Sequence, residues 1–265
     1  MARLILPSLR KAMLFAFLVL TGGCTRYYYQ PHSLPAPMLE KQHDLHLEFN
    51  TNITDDATQV NFMAAYAPIH HLGVYAASYN YQYQVSNPEP GTSRVDGRAN
   101  LLELGLGGFY PITEPGTQFR VNAEAYGGYA FGRLRSDVNA QVSRIFIQPG
   151  INLRSSYFDM AFHFRFSNLN YSQYDDRGRT LASLRENNLV DQFDRATLPG
   201  NYLLLEPGIS FMGGYKFIKA KLSIVYTLPF SRIPWHMETS AVTLGVSFQL
   251  QELINQVDNK LGSEN

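Results

Sequence analysis

The chain has one cysteine, Cys24, and one tryptophan, Trp235. A single thiol cannot close a disulfide within the chain, so no covalent cross-link supports the fold. Charge of one sign is also lacking, with 22 basic and 22 acidic residues. That balance argues against nucleic acid as a partner and gives no strong attraction to a charged membrane surface. The apolar run at the chain start, Ala12 to Leu20, is far shorter than the roughly 20 residues a membrane-spanning helix needs.

What that start does contain is ordered. Arg3, Arg10 and Lys11 precede the apolar run, and Thr21, Gly22 and Gly23 follow it. Positive residues, an apolar stretch and then small residues make a secretory signal peptide, here residues 1–23, expected to be removed. Removing its three basic residues leaves the rest of the chain at −3. The cut falls just before Cys24. This resembles the lipobox of bacterial lipoproteins, in which a small residue precedes a cysteine that receives acyl chains. Thr21 stands where that motif usually has leucine, and Leu20 lies one residue further out. The resemblance implies lipidation of Cys24 and a lipid-anchored protein of the outer membrane.

Residues 24–42 are rich in proline and lack a period, which predicts a tether between lipid and domain. From residue 43 to 250 the pattern alternates with period two. Ten strands are expected, within a range of 8–12: His43–Asn52, Thr58–Ala67, Leu72–Gln84, Arg98–Tyr110, Gln118–Gly132, Val142–Asn152, Tyr157–Phe166, Tyr202–Met212, Ala220–Leu228 and Thr239–Leu250. In the seventh, Phe158, Met160, Phe162, Phe164 and Phe166 share one face, and Asp159, Ala161, His163 and Arg165 the other. Residues 251–265 place Leu253, Ile254, Val257 and Leu261 on one helical face, predicting a short C-terminal helical tail.

Alternation alone fits a soluble barrel with its apolar face inward and a membrane barrel with that face outward. Two features favour the second. The polar faces carry Gly105, Gly107, Gly128, Gly150, Gly208 and Gly245, which a crowded lumen needs and a solvated face does not. They also carry both charge signs, in Glu103, Arg120, Glu124, Arg144, Asp159, Arg165, Glu206 and Lys221, able to pair inside a closed barrel. The connections add a rhythm. Pro68–His71, Pro111–Thr117, Leu153–Ser156 and Gly213–Lys219 are short, whereas Val85–Gly97, Arg133–Gln141, Ser167–Asn201 and Pro229–Glu238 are longer. Outer-membrane barrels have short periplasmic turns and long outer loops. The expected fold is therefore all-β, a single antiparallel up-and-down barrel of the outer-membrane type. With an even strand number both barrel termini fall on the short-turn side, and the tether is expected to start there.

Three stretches carry a family resemblance: Tyr28-Tyr29-Gln30-Pro31, Pro37-Met38-Leu39-Glu40-Lys41, and AAYAPIHHLGV from Ala64 to Val74. In these, roughly the first third of the mature chain, it is similar to uncharacterised outer-membrane barrel lipoproteins of diderm bacteria. That resemblance implies a fold and an address. It implies no activity, cofactor or catalytic residue, and the only residue carried over is Cys24.

The residues themselves suggest little chemistry. His43 and His46 face opposite sides of a strand, and His70 and His71 sit in a tight turn, so neither pair converges on a metal. His163 with Asp159 and Arg165 is a candidate general base, without a serine nucleophile at a convincing offset. Trp235, Tyr75, Tyr83, Tyr110, Tyr129 and Tyr226 are candidates for an aromatic belt at the membrane interface. In Ser167–Asn201, Leu181, Leu184 and Phe193 suggest a short amphipathic helix, and the loop offers a surface to another envelope protein. The leading expectation is an outer-membrane barrel lipoprotein with a structural or interaction role, contacting membrane lipid and no nucleic acid, without a cofactor or catalysis. The alternatives are a small-solute binding or transport barrel, a soluble lipid-anchored periplasmic barrel, and a membrane-embedded hydrolase using His163.

Overall fold

The computed structural model describes residues 28–250 apart from 54–56, 85–95, 114–116 and 216. The expected signal peptide, Cys24 and the expected C-terminal helical tail therefore lie outside the described residues. The strands are β1 (Leu45–Ile53), β2 (Ala57–Ile69), β3 (Leu72–Gln84), β4 (Asp96–Pro111), β5 (Arg120–Arg135), β6 (Asn139–Arg154), β7 (Phe158–Asp175), β8 (Gly200–Tyr215), β9 (Ile218–Tyr226), the two-residue β10 (Leu228–Pro229) and β11 (Ser240–Gln249). Each pairs antiparallel with its neighbour, β11 lies between β1 and β9, and β9 pairs back onto β8. The sheet thus closes on itself. β10 continues the line of β9 along β8, so the wall has the ten strands the alternation predicts.

Most strands turn their apolar face out. Leu102, Leu104 and Leu106 on β4, Ile145, Ile147 and Ile151 on β6, and Phe162, Phe164 and Phe166 on β7 are exposed large hydrophobics. Glu103, Arg144, Asp159, His163 and Arg165, one residue out of phase with them, are buried. A soluble barrel would show the reverse, because burying apolar area is what drives its folding.

Two inward glycines fit the crowded lumen. A Cβ added at Gly105 would stand 2.2 Å from the Tyr75 ring, and one at Gly150 would stand 2.0 Å from the His163 ring. Both contacts are far below van der Waals distance, so the ring must move or the strand must bow.

Several boundaries differ from the sequence expectation. β5 and β6 run further than their alternation suggests, so the link expected across Arg133–Gln141 tightens to 136–138. β7 continues to Asp175, leaving 176–199 as the long connection. In that connection α1 (Leu181–Glu186) is capped by Thr180, whose hydroxyl accepts from Ser183 N–H. Leu184 is buried there, but Leu181 and Phe193 are exposed, so only one of the three expected anchors packs.

The ends of β2, β4, β6, β8 and β11 lie at one end of the barrel, the short-turn end, with the start of β1. The ends of β1, β3, β5 and β7 lie at the other, the long-loop end, with the 136–138, 176–199 and 230–239 connections. We expect Gly105→Val to destabilise the folded barrel by ~1–3 kcal/mol through overpacking. Urea titration of the detergent-folded protein, followed by the heat-sensitive shift in gel mobility, measures this.

Candidate functional site

The lumen contains the chain's own N-terminal segment. Every residue from Tyr28 to Leu39 is buried, with Leu39 and Ala36 at 0% exposure. This corrects the expectation of a tether outside the domain. Its direction corrects a second expectation. Tyr28 N–H donates to the His236 carbonyl, and Glu238 N–H to that of Tyr29, both within the long-loop connection 230–239. At the other end Leu39 and Glu40 meet Asn122, Arg120 and Arg154 beside the short turns. The segment therefore enters at the long-loop end and runs the length of the lumen. Extended chain covers ~3.3 Å per residue, enough for this stretch to cross an apolar band about 25 Å tall. It then reverses into β1, where the Asp44 carboxylate accepts from the N–H groups of Glu40 and Lys41, with His43 at a positive φ of 68°.

Proline explains how a segment without secondary structure is held there. Pro31, Pro35 and Pro37 lack an N–H to leave unpaired, and each fixes an extended φ. Their carbonyls still need donors, and the wall supplies them. Gln59 Nε2 donates to Pro31 (3.3 Å), Gln148 Nε2 to Pro35 (2.7 Å) and His46 Nδ1 to Pro37 (2.8 Å). The Met38 carbonyl accepts from Arg154 (2.8 Å) and that of Tyr28 from the Tyr171 hydroxyl (2.7 Å). Glycines make room for the apolar side chains, Gly208 beside Leu34 and Gly73 beside Leu39.

The centre of contact is ionic. The Glu103 carboxylate takes both outer nitrogens of Arg165 (2.8 and 3.0 Å), one of Arg144 (2.5 Å) and the Tyr75 hydroxyl (2.8 Å). Arg144 also lies 3.6 Å from Glu206, so two arginines and two glutamates balance. Two residues of the segment complete this cluster. The Tyr29 hydroxyl donates to Glu206, and Arg144 donates to His32 Nε2 at 2.6 Å. An arginine donor at Nε2 requires a lone pair there, so His32 is the neutral tautomer with its proton on Nδ1, facing the Ser33 carbonyl. The His32 ring stacks on Tyr79 at 3.6 Å between centroids.

Near the short turns the network is more dispersed. Lys221 pairs with Glu48 and Lys219 with Asp159. Arg120 and Arg154 both reach Glu40.

The sequence-selected residues are therefore brought together in a different way than their spacing suggests. His163 pairs with Glu124 at 2.6 Å, not with Asp159, and is 2% exposed beside the filled core of the lumen. His46 is tied to Pro37 and Ser247, and among the described residues no group of three or more His, Cys, Asp or Glu could hold a metal ion. Trp235, expected at a membrane interface, is 3% exposed and meets Tyr171 and Tyr202 edge-on inside the long-loop mouth. Tyr75 is lumenal, while Tyr110, Tyr129 and Tyr226 are on the outer wall, and the side chain of Tyr83 lies outside the described residues. One signal in the sequence marks the lumenal segment. Between Arg26 and Glu40 there is no Asp, Glu, Lys or Arg, an unusual stretch for a solvated tether.

No protein-family model matches the chain, and no curated protein matches its sequence.

Removing the central acid should be severe. Glu103→Ala leaves Arg165 buried without its counter-charge and Arg144 with Glu206 alone, and we expect a loss of ~3–5 kcal/mol. Replacing Gln148 by Ala, which orphans the Pro35 carbonyl and one face of Arg165, should cost about 1–3 kcal/mol. Equilibrium urea unfolding of each variant in one detergent checks both values and their order.

Proposed function

We propose that this protein is an outer-membrane β-barrel lipoprotein with a structural or interaction role, whose pore is permanently filled by its own N-terminal segment. The observation that carries the reading is the inverted wall, with large apolar side chains exposed on its outer face, around a charged lumen that the chain itself occupies. An apolar exterior belongs in hydrocarbon, and a closed barrel satisfies its backbone groups there without water. The signal segment, the cysteine at its cut site and the resemblance to outer-membrane barrel lipoproteins support export and acylation of Cys24.

The filled lumen also gives the lipid an address. Cys24 lies four residues before Tyr28, at most ~14 Å along the chain. Tyr28 sits at the long-loop end, so the acyl chains would enter the leaflet on that side, which in outer-membrane barrels is the external one. Lipidation then fixes the free end of the plug to the membrane that the barrel spans. The same occupation disfavours a solute pore, and His163 has no route to a substrate.

An epitope placed directly after Cys24 tests this topology. On intact cells it should be reached by antibody, and an epitope in the 216–217 turn should not; the opposite pattern rejects the reading. In planar bilayers the full chain should be silent, and a chain lacking residues 28–40 should conduct. Steady conductance by the intact protein would restore the transport alternative.

A further inference from the structure

Among the described residues the outer wall carries a cluster of three arginines. Arg98 on β4 and Arg135 on β5 are direct partners across the strands, and Arg133 sits opposite Asn100, two residues along the same outward face. All three are exposed. Directly opposed like charges on a sheet are destabilising, so this pair has an electrostatic cost that a bound anion would remove. None of the three arginines has an ion pair with a described residue; Asp96 lies two residues before Arg98 on the same strand, and Asp175 is separated from Arg135 by Asn139, which hydrogen-bonds it.

The arginines border a cleft of about 760 Å³ on the outside of β3 to β7. Its rim is polar, with Asn80, Gln82 and Gln141 beside the arginines. Its other end is apolar, formed by Leu102, Tyr129 and Phe131. Arg133 and Arg135 follow Phe131 toward the 136–138 turn, so the charge lies at the long-loop end of the apolar belt. Three forked guanidinium groups above an aromatic and leucine surface match a phosphate headgroup with acyl chains below it.

We infer that Arg98, Arg133 and Arg135 form a binding site for a phosphate-bearing lipid of the leaflet at the long-loop end, with its acyl chains along Leu102, Tyr129 and Phe131. This rests on the reading that the barrel spans a membrane. Such a lipid would add counter-charge at the rim and hold the barrel at a fixed depth.

The test uses the full chain folded in detergent and then exposed to phosphatidylcholine vesicles containing a minor fraction of phosphatidic acid, whose headgroup is a bare phosphate. Native mass spectrometry counts the phosphatidic acid retained. The wild type should retain it over phosphatidylcholine. R98Q/R133Q/R135Q should lower its apparent affinity at least about tenfold, which is about 1.4 kcal/mol. The corresponding triple Lys variant keeps the charge, loses the forks and should fall between them. R177Q/R195Q/R232Q, which removes the same charge from the loops, should behave as wild type. Heat-shifted gel mobility establishes that each variant is folded, and single Arg→Gln variants replace the triple if it is not. Equal retention by wild type and R98Q/R133Q/R135Q overturns the site. Full displacement of phosphatidic acid by millimolar inorganic phosphate also overturns it, since that describes a free-phosphate site. A protein that stays soluble without detergent and enters no vesicle instead overturns the membrane-spanning reading.

Discussion

The structure depends on the neutralisation of charge inside the barrel. Glu103 holds Arg144 and Arg165 in a space without room for bulk water, and each of the three is 0–1% exposed. A buried charge without its partner costs several kcal/mol, so these groups must be matched before the lumen can close around them. The wall alone does not complete the match. The remaining positions around Arg144 and Glu206 are filled by Tyr29 and His32 of the N-terminal segment. The segment's backbone in turn depends on Gln59, Gln148, His46 and Arg154 for its donors. Wall and plug are thus one polar system, in which neither half is satisfied without the other.

Such mutual satisfaction separates a plug from a gate. A gate needs two arrangements of similar free energy. Here withdrawal of the segment would strip donors from its carbonyls, leave Arg144 short of two partners and open the apolar contacts of Leu34, Ala36 and Leu39. Each fully buried leucine contributes about 1.5–3 kcal/mol. With that many losses in one direction, a single filled state is favoured.

The wall was legible in the sequence because a barrel with an apolar outside and a polar lumen writes its two faces into alternate residues. The phenylalanines of β7, the glutamate and glycines of β4, and all six glycines assigned to the polar faces are where period two puts them. Strand ends were less legible, because β5 and β6 extend past the apolar band as Arg133, Arg135, Gln141 and Ser143, where polar residues face out and the alternation fades. The contents of the lumen were hidden for a different reason. Period two assigns a side chain to a face but says nothing of what fills the space behind it, and Pro31, Pro35 and Pro37 look the same in a solvated tether and in a polyproline-like plug. Tyr75 shows the same ambiguity. On β3 the outward partners are the small Val74 and Ala76, and the inward ones are Tyr75, Tyr79 and Tyr81, so bulk apolar character alone points the wrong way.

The plug also constrains the order of assembly. Its contacts are spread over β1, β2, β5, β6 and β7, whereas the pairing that joins the first strand to the last is β1 with β11. If the barrel closed first, the segment would have to be drawn through a lumen already lined with unpaired Arg144, Arg165, Glu103 and Glu206, and any acyl group on Cys24 would have to pass the same charges. Threading a chain through a finished ring is also rare among protein folds. If instead the curved sheet wraps the segment before β1 meets β11, each buried charge acquires its partner as it loses water. The proline-fixed extended backbone helps in that order, because little conformational entropy is left to lose when the wall closes on it. The composition of residues 28–39, uncharged and proline-punctuated, is thus explained by the route into the lumen as well as by the fit within it.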